Sequence, residues 1–166
     1  GSIFGFQRAV IRITVQATSA ALAALRNEMQ SLAASLPEYP IVMGMFGVGP
    51  ALGPQLMAEI GDVRRFHSKK ALVAFAGIDA PPYQSGQMEI RSRSISKRGS
   101  AVLRRTLFLV MSAILRCSPA DEPVYQFMDR KRTEGKPYRV YMMASANKFL
   151  RIYYATVKQY LDSLEA

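Results

Sequence analysis

The feature that most restricts this chain is a row of residues whose spacing alternates between four and three: Ile11, Val15, Thr18, Leu22, Leu25, Met29, Leu32 and Leu36. Such a row is the seam of a heptad repeat, which a lone helix leaves in water and a second helix covers. It predicts a helix over about Phe6 to Leu36 that pairs as a coiled-coil arm, ended by Pro37 and Pro40. The simpler alternative is an amphipathic helix packed on its own domain.

Residues 37–166 then have to supply a fold of their own. With 49% hydrophobic residues in a 166-residue chain, a genuine core is expected rather than disorder. The segment Tyr39 to Pro50 reads as a short apolar helix and a Gly47-Val48-Gly49 turn, and a helical stretch follows from Ala51 to Ile60. Short helix, glycine turn, second helix is the outline of a helix-hairpin-helix. Gly47 and Gly49 there permit a turn whose N–H groups can face a phosphate. An ordinary corner between two helices fits the same residues.

Ser68 is placed to cap a helix from Lys69 to about Phe75, with Gly77 ending it. Ser100 caps a strong helix from Ala101 to about Cys117. A further helix starts near Val124, and a long one runs from Tyr138 to about Leu164, burying Val140, Met143, Leu150, Tyr154, Val157 and Leu161. No long strand pattern appears. The fold class is mainly α: a truncated coiled-coil arm at 1–36, then a compact helical domain at 37–166.

Charge narrows the partner. Lys and Arg number 22 against 12 Asp and Glu, a net charge of +10, and such an excess points to a polyanion. It is concentrated in Arg91, Arg93, Lys97, Arg98, Arg104 and Arg105, six cations in a basic loop and helix start that hold no acid. Serines interleaved with arginines suit phosphate oxygens. One cysteine, Cys117, and one histidine, His67, make no disulfide and no zinc set, which fits a reducing cytoplasm. The apolar run from Leu107 to Leu115 is well short of the ~20 residues that span a bilayer, so no membrane association is expected. No signal peptide is expected either; Gly1-Ser2 reads as a cloning remnant before a chain entered mid-domain.

Hydroxyls able to attack phosphorus are Tyr83, Ser85, Ser92, Ser94 and Ser96. Ser85 follows the stiff Pro81-Pro82 segment and precedes Gly86, which leaves room for a substrate backbone, yet spacing does not select it over its neighbours. Glu59, Asp62 and Asp79 lack the arrangement of a two-metal nuclease site, so no metal ligand is assigned within this chain.

The runs Phe46-Gly47-Val48-Gly49-Pro50, Ala58-Glu59-Ile60-Gly61-Asp62, Arg65-Phe66-His67-Ser68, Ala71 to Asp79, Gln84-Ser85-Gly86, Ile95-Ser96-Lys97-Arg98-Gly99 and Leu103-Arg104-Arg105-Thr106-Leu107, with Lys148 to Ala155 near the end, together resemble the C-terminal domain of transposases of the one-hundred-and-ten family of insertion sequences. The resemblance covers nearly the whole chain. It implies a recombinase guided by a bridge RNA, with an N-terminal RuvC-like domain whose acidic DEDD site binds Mg2+. It implies that Ser85 is the nucleophile, forming a phosphoserine link to DNA in a site shared with a partner protomer's RuvC-like domain. Expected partners are therefore DNA, bridge RNA and a second copy through the N-terminal helix, in the bacterial cytoplasm at the nucleoid. The RuvC-like domain is not found in this sequence, so the chain alone is expected not to cut DNA. A non-catalytic helix-hairpin-helix module and a Tyr83 nucleophile are the rival readings.

Overall fold

The computed structural model describes residues 3–79 and 95–166. Among them the chain forms seven α-helices, a one-turn 3₁₀ helix and no strand. The mainly helical class expected from the apolar periodicities is what the structure has.

Helix α1 (Ile3–Ala34) stands largely apart from the rest. Only Ala33 on it is buried, with Gln30 half-covered one turn earlier. The heptad positions lie beside that docking face rather than on it. From Ile11 to Leu32 the large seam side chains remain between 39% and 66% exposed. The helix stops at Ala34 and not at Leu36, because Pro37 disfavours helical geometry in the residue before it. Ser35 and Leu36 instead close a tight turn on Leu32 and Ala33.

The domain is built around α5 (Ala101–Cys117) and α7 (Tyr138–Leu164). α7 packs against α2 (Tyr39–Met43), α4 (Lys69–Ala76), α5, α6 (Pro123–Thr133) and the 3₁₀ turn Val63–Arg65, while α3 (Leu52–Ile60) lies on α5. The local signals explain these elements. Ser68 accepts from the Ala71 N–H and Ser100 from the Leu103 N–H, and Glu122 caps α6 just before Pro123, each satisfying a donor the first helical turn leaves free. Gly77 ends α4 in the left-handed region at φ 65°, where a Cβ would be strained. Asp62 accepts from the Arg64 N–H at 2.8 Å. The hydrogen-bonded Arg64 guanidinium holds the Asp62 carboxyl below its usual range and also pairs with Glu165 beyond the end of α7.

The core joins Leu56, Ile60, Leu72, Leu103, Leu107, Met111, Ile114, Met142 and Leu150, all fully buried. Two parts of the expected α7 stripe differ. Val140 is 49% exposed, and the buried positions are Tyr141, Met142, Ser145, Ala146, Phe149, Leu150, Tyr153, Val157 and Leu161. Met143 and Tyr154 are only partly covered. A helix enclosed by four other helices and the 3₁₀ turn buries two adjacent columns, so small and polar residues such as Ala146 and Ser145 go inside while a valine in the first turn stays out. Burial pushes the Tyr153 hydroxyl well above its ordinary pKa, and the charge of Glu38 adds to this. The Tyr154 hydroxyl donates to the Phe66 carbonyl at 3.0 Å, fastening α7 to the connector after the 3₁₀ turn.

Truncating Leu107 to Ala should lower unfolding free energy by about 2–5 kcal/mol, whereas Val140→Ala should change it by less than about 0.5 kcal/mol. Urea unfolding of the two variants checks the assignment of core and surface.

Candidate nucleic-acid interface

The basic segment is held by a backbone clasp. After α4 the chain runs through Gly77, Ile78 and Asp79; the described chain resumes at Ile95 and runs antiparallel beside it. Ser96 N donates to Asp79 O at 3.0 Å, Lys97 N to Gly77 O at 3.0 Å and Ser100 N to Phe75 O at 2.7 Å. The approach is so close that a Cβ on Gly99 would overlap the Phe75 carbonyl, and one on Gly77 would come within 2.8 Å of Gly99 N. Glycine at both crossing points is therefore a steric requirement.

Side chains lock the same place. The Ser96 hydroxyl donates to Asp79 Oδ1 at 2.5 Å. The Ser100 hydroxyl accepts the α5 cap bond while donating to Glu59 Oε2 on α3 at 2.8 Å. Arg104 Nη1 donates to Ala76 O at 3.0 Å, placing a cation on a carbonyl at the end of α4. Arg65 lies over Phe66 and Phe75, its carbon 4.6 and 4.9 Å from the ring centroids, and its Nε donates to Ile60 O. One knot thus joins α3, α4 and α5.

Four of the expected phosphate-binding residues are on the segment that enters this knot and on the first turns of α5. Lys97, Arg98 and Arg105 are exposed, and Arg104 is half-buried with one guanidinium N–H already used on Ala76. Among the described residues none of the four is in an ion pair. Lys97 sits at φ 55°, an uncommon conformation for a residue with a Cβ. Ser85, Arg91 and Arg93 lie outside the described residues, as do Tyr83, Ser92 and Ser94. Ser96 is described, and its hydroxyl is committed to Asp79.

The turn after α2 has the expected short-helix, turn, helix outline, and its glycines differ in surroundings. Gly47 has φ 80°, and a Cβ on it would meet Ile114 Cγ1 at 2.7 Å, so close packing on α5 already requires glycine there. Gly49 has nothing within 4 Å of the place a Cβ would take. An open cleft of about 580 Å³ borders this turn, and the residues lining it, among them Phe46, Pro119 and Phe149, include no Lys or Arg.

Sequence reasoning missed the pairs Ser96–Asp79 and Ser100–Glu59 and the stacking of Arg65. Partners 17 and 41 residues apart leave no trace in local spacing; the nearest signal was the Gly99-Ser100 pair at the start of α5. The acids considered for a metal are each engaged: Glu59 with Ser100, Asp79 with Ser96 and Asp62 with Arg64. Among the described residues no group of three His, Cys, Asp or Glu side chains converges to hold an ion. These residues do not fit a magnesium site. No helix among them is long and apolar enough to cross a membrane.

Gly99→Ala should destabilise the domain by roughly 3 kcal/mol, the upper end for overpacking, because backbone rather than a flexible side chain must yield. Gly49→Ala, with open space at its Cα, should change stability by less than about 0.5 kcal/mol. Thermal and urea unfolding of the pair distinguish the crossing glycine from the turn glycine.

Comparison with known proteins agrees with this arrangement of motifs. Residues 39–126 match the family described as Transposase IS116/IS110/IS902, a span that holds the turn, the clasp and all of α5. The pilin gene-inverting protein of Moraxella bovis is 33% identical over 134 residues, covering 80% of this chain and 38% of that protein. Its Moraxella lacunata counterpart is also 33% identical over the same length. The transposase for insertion sequence element IS1111A of Coxiella burnetii is 32% identical over 90 residues, 54% of this chain and 24% of that protein. The chain spans well under half the length of these relatives. With its family match extending over more than half of its residues, the chain belongs to the IS116/IS110/IS902 family of insertion-sequence transposases.

Proposed function

We propose that this chain is the part of a DNA transposase that grips the phosphodiester backbone and presents Ser85 as the nucleophile of strand cleavage and exchange. The observation that carries the reading is the clasp: it holds residues 96–100, with exposed Lys97 and Arg98, against 75–79, the two stretches that flank the 80–94 segment whose sequence includes Ser85. Phosphoryl transfer needs cations near the reacting phosphate, because its negative charge must be offset as the new bond forms. Attack by the Ser85 oxygen would form a phosphoserine ester, release one strand end as a hydroxyl and leave the serine proton to a base. Reversal by the hydroxyl of another strand would complete exchange. Arg91 and Arg93 would add to the same phosphate grip, and Gly47 and Gly49 would let backbone N–H groups of the α2–α3 turn approach a second phosphate.

The remaining parts of the proposal follow from resemblance to the family. Base pairing by a bridge RNA would choose the sites, leaving the protein to hold backbone and shape. A RuvC-like domain, with its magnesium, would complete the active site from a partner protomer, so catalysis belongs to the whole transposase. Work on chromosomal DNA would place it at the bacterial nucleoid. The uncovered seam of α1 from Ile11 to Leu32 supports pairing of two copies through that helix.

In the full transposase containing this chain, Ser85→Ala should abolish covalent DNA–protein adduct and strand transfer while leaving DNA binding intact. Retained strand transfer would reject the nucleophile and favour a purely DNA-binding helix-hairpin-helix module, and an adduct mapped to Tyr83 would move the chemistry to the tyrosine. Arg105→Glu should weaken binding to all duplex sequences alike and flatten its salt dependence; a loss confined to one sequence would contradict backbone binding. Leu22→Lys with Leu25→Lys should shift the chain from dimer to monomer in sedimentation equilibrium, without loss of helix in the domain.

A further inference from the structure

A second cationic centre lies on the α6–α7 hairpin, beyond the span matched by the family. Three cations surround the ring of Phe127: Lys148 Nζ at 5.2 Å, the Arg130 guanidinium carbon at 5.3 Å and Lys131 Nζ at 5.8 Å from its centroid. They come from two helices, Lys148 from α7 and the others from α6. Only Lys131 has a carboxylate, Glu134 at 2.7 Å; among the described residues neither Arg130 nor Lys148 is in an ion pair. Arg151 lies three residues after Lys148 on α7, where helix geometry makes the two neighbours, and Asn147 steadies its guanidinium through Nε at 2.8 Å. From Lys136 to Lys158 the sequence carries five Lys or Arg and no acid.

Like charges gathered on one ring repel each other. The ring face offsets part of this, and a polyanion laid across the group would offset far more. The centre offers N–H donors and an aromatic face, which suits phosphate oxygens and reads no base. We infer that Phe127, Arg130, Lys148 and Arg151 form a second phosphodiester-binding site, separate from the clasp, and that its ligand is the backbone of duplex DNA. The choice of DNA rests on the function proposed above; the need for a polyanion rests on the cluster itself.

The test is the salt dependence of duplex DNA binding by this chain, followed by fluorescence anisotropy. R130Q/K148Q should make the slope of log K against log salt shallower by about 1.8, since each phosphate contact contributes about 0.9. K158Q removes the same kind of charge from a lysine paired with Asp162 at 2.7 Å and should leave the slope unchanged. Adding R105Q should lower the slope further by about 0.9, the share of one contact, as two separate sites require. If the double variant loses its helical signal, R130Q alone, at an exposed position, decides the matter with an expected change of about 0.9. A slope equal to that of the parent or of K158Q overturns the inference, as does a change seen on duplex RNA and absent on DNA. The readout involves no strand transfer, so it stands or falls apart from Ser85.

Discussion

The arrangement around the basic segment depends on one close approach, that of the Gly99 backbone to the Phe75 carbonyl at the end of α4. Because no side chain intervenes, Ser100 N reaches Phe75 O, Lys97 N reaches Gly77 O, and the start of α5 is set against the end of α4. Ser100 can then cap α5 and reach Glu59 at once, and Arg104 can cover the Ala76 carbonyl. A side chain at position 99 would force these elements apart and displace the stretch that carries Lys97 and Arg98.

The knot also organises charge. Glu59 and Asp79 are turned onto serine hydroxyls at the α3–α4–α5 junction, and Asp62 is taken up by Arg64. Among the described residues none of these acids forms an ion pair with Lys97, Arg98, Arg104 or Arg105, and Lys97, Arg98 and Arg105 face solvent. Around Phe127 the same imbalance arises differently, from a hairpin whose second helix carries no acid before Asp162. Exposed cations without carboxylate partners contribute little to stability; what they offer is a field for a polyanion.

Much of this was legible locally. Ser68 and Ser100 preceding apolar runs and Gly77 after one marked the starts of α4 and α5 and the end of α4 to within a residue, because capping chemistry acts over three or four positions. The inner face of α7 was legible only in part. Leu150, Val157 and Leu161 are inside as their spacing implied, but Val140 is outside and Ser145 inside, since the number of neighbours around a helix decides how wide a stripe it buries. Arg104 and Arg105 looked equivalent in the sequence; a single carbonyl, Ala76 O, separates their surroundings.

By itself the sequence determined the helical class, the capped starts of α4 and α5, the excess of positive charge and the heptad row of α1, which follow from composition and from chemistry between residues a few positions apart. Its motifs also carried the family. Only the tertiary structure decided that α1 docks through Ala33 and leaves its heptad row uncovered, that Gly77 and Gly99 cross at one point, and that cations from two helices meet on Phe127. These depend on segments distant along the chain arriving side by side, and the free energy of packing, rather than any local preference, selects which ones meet.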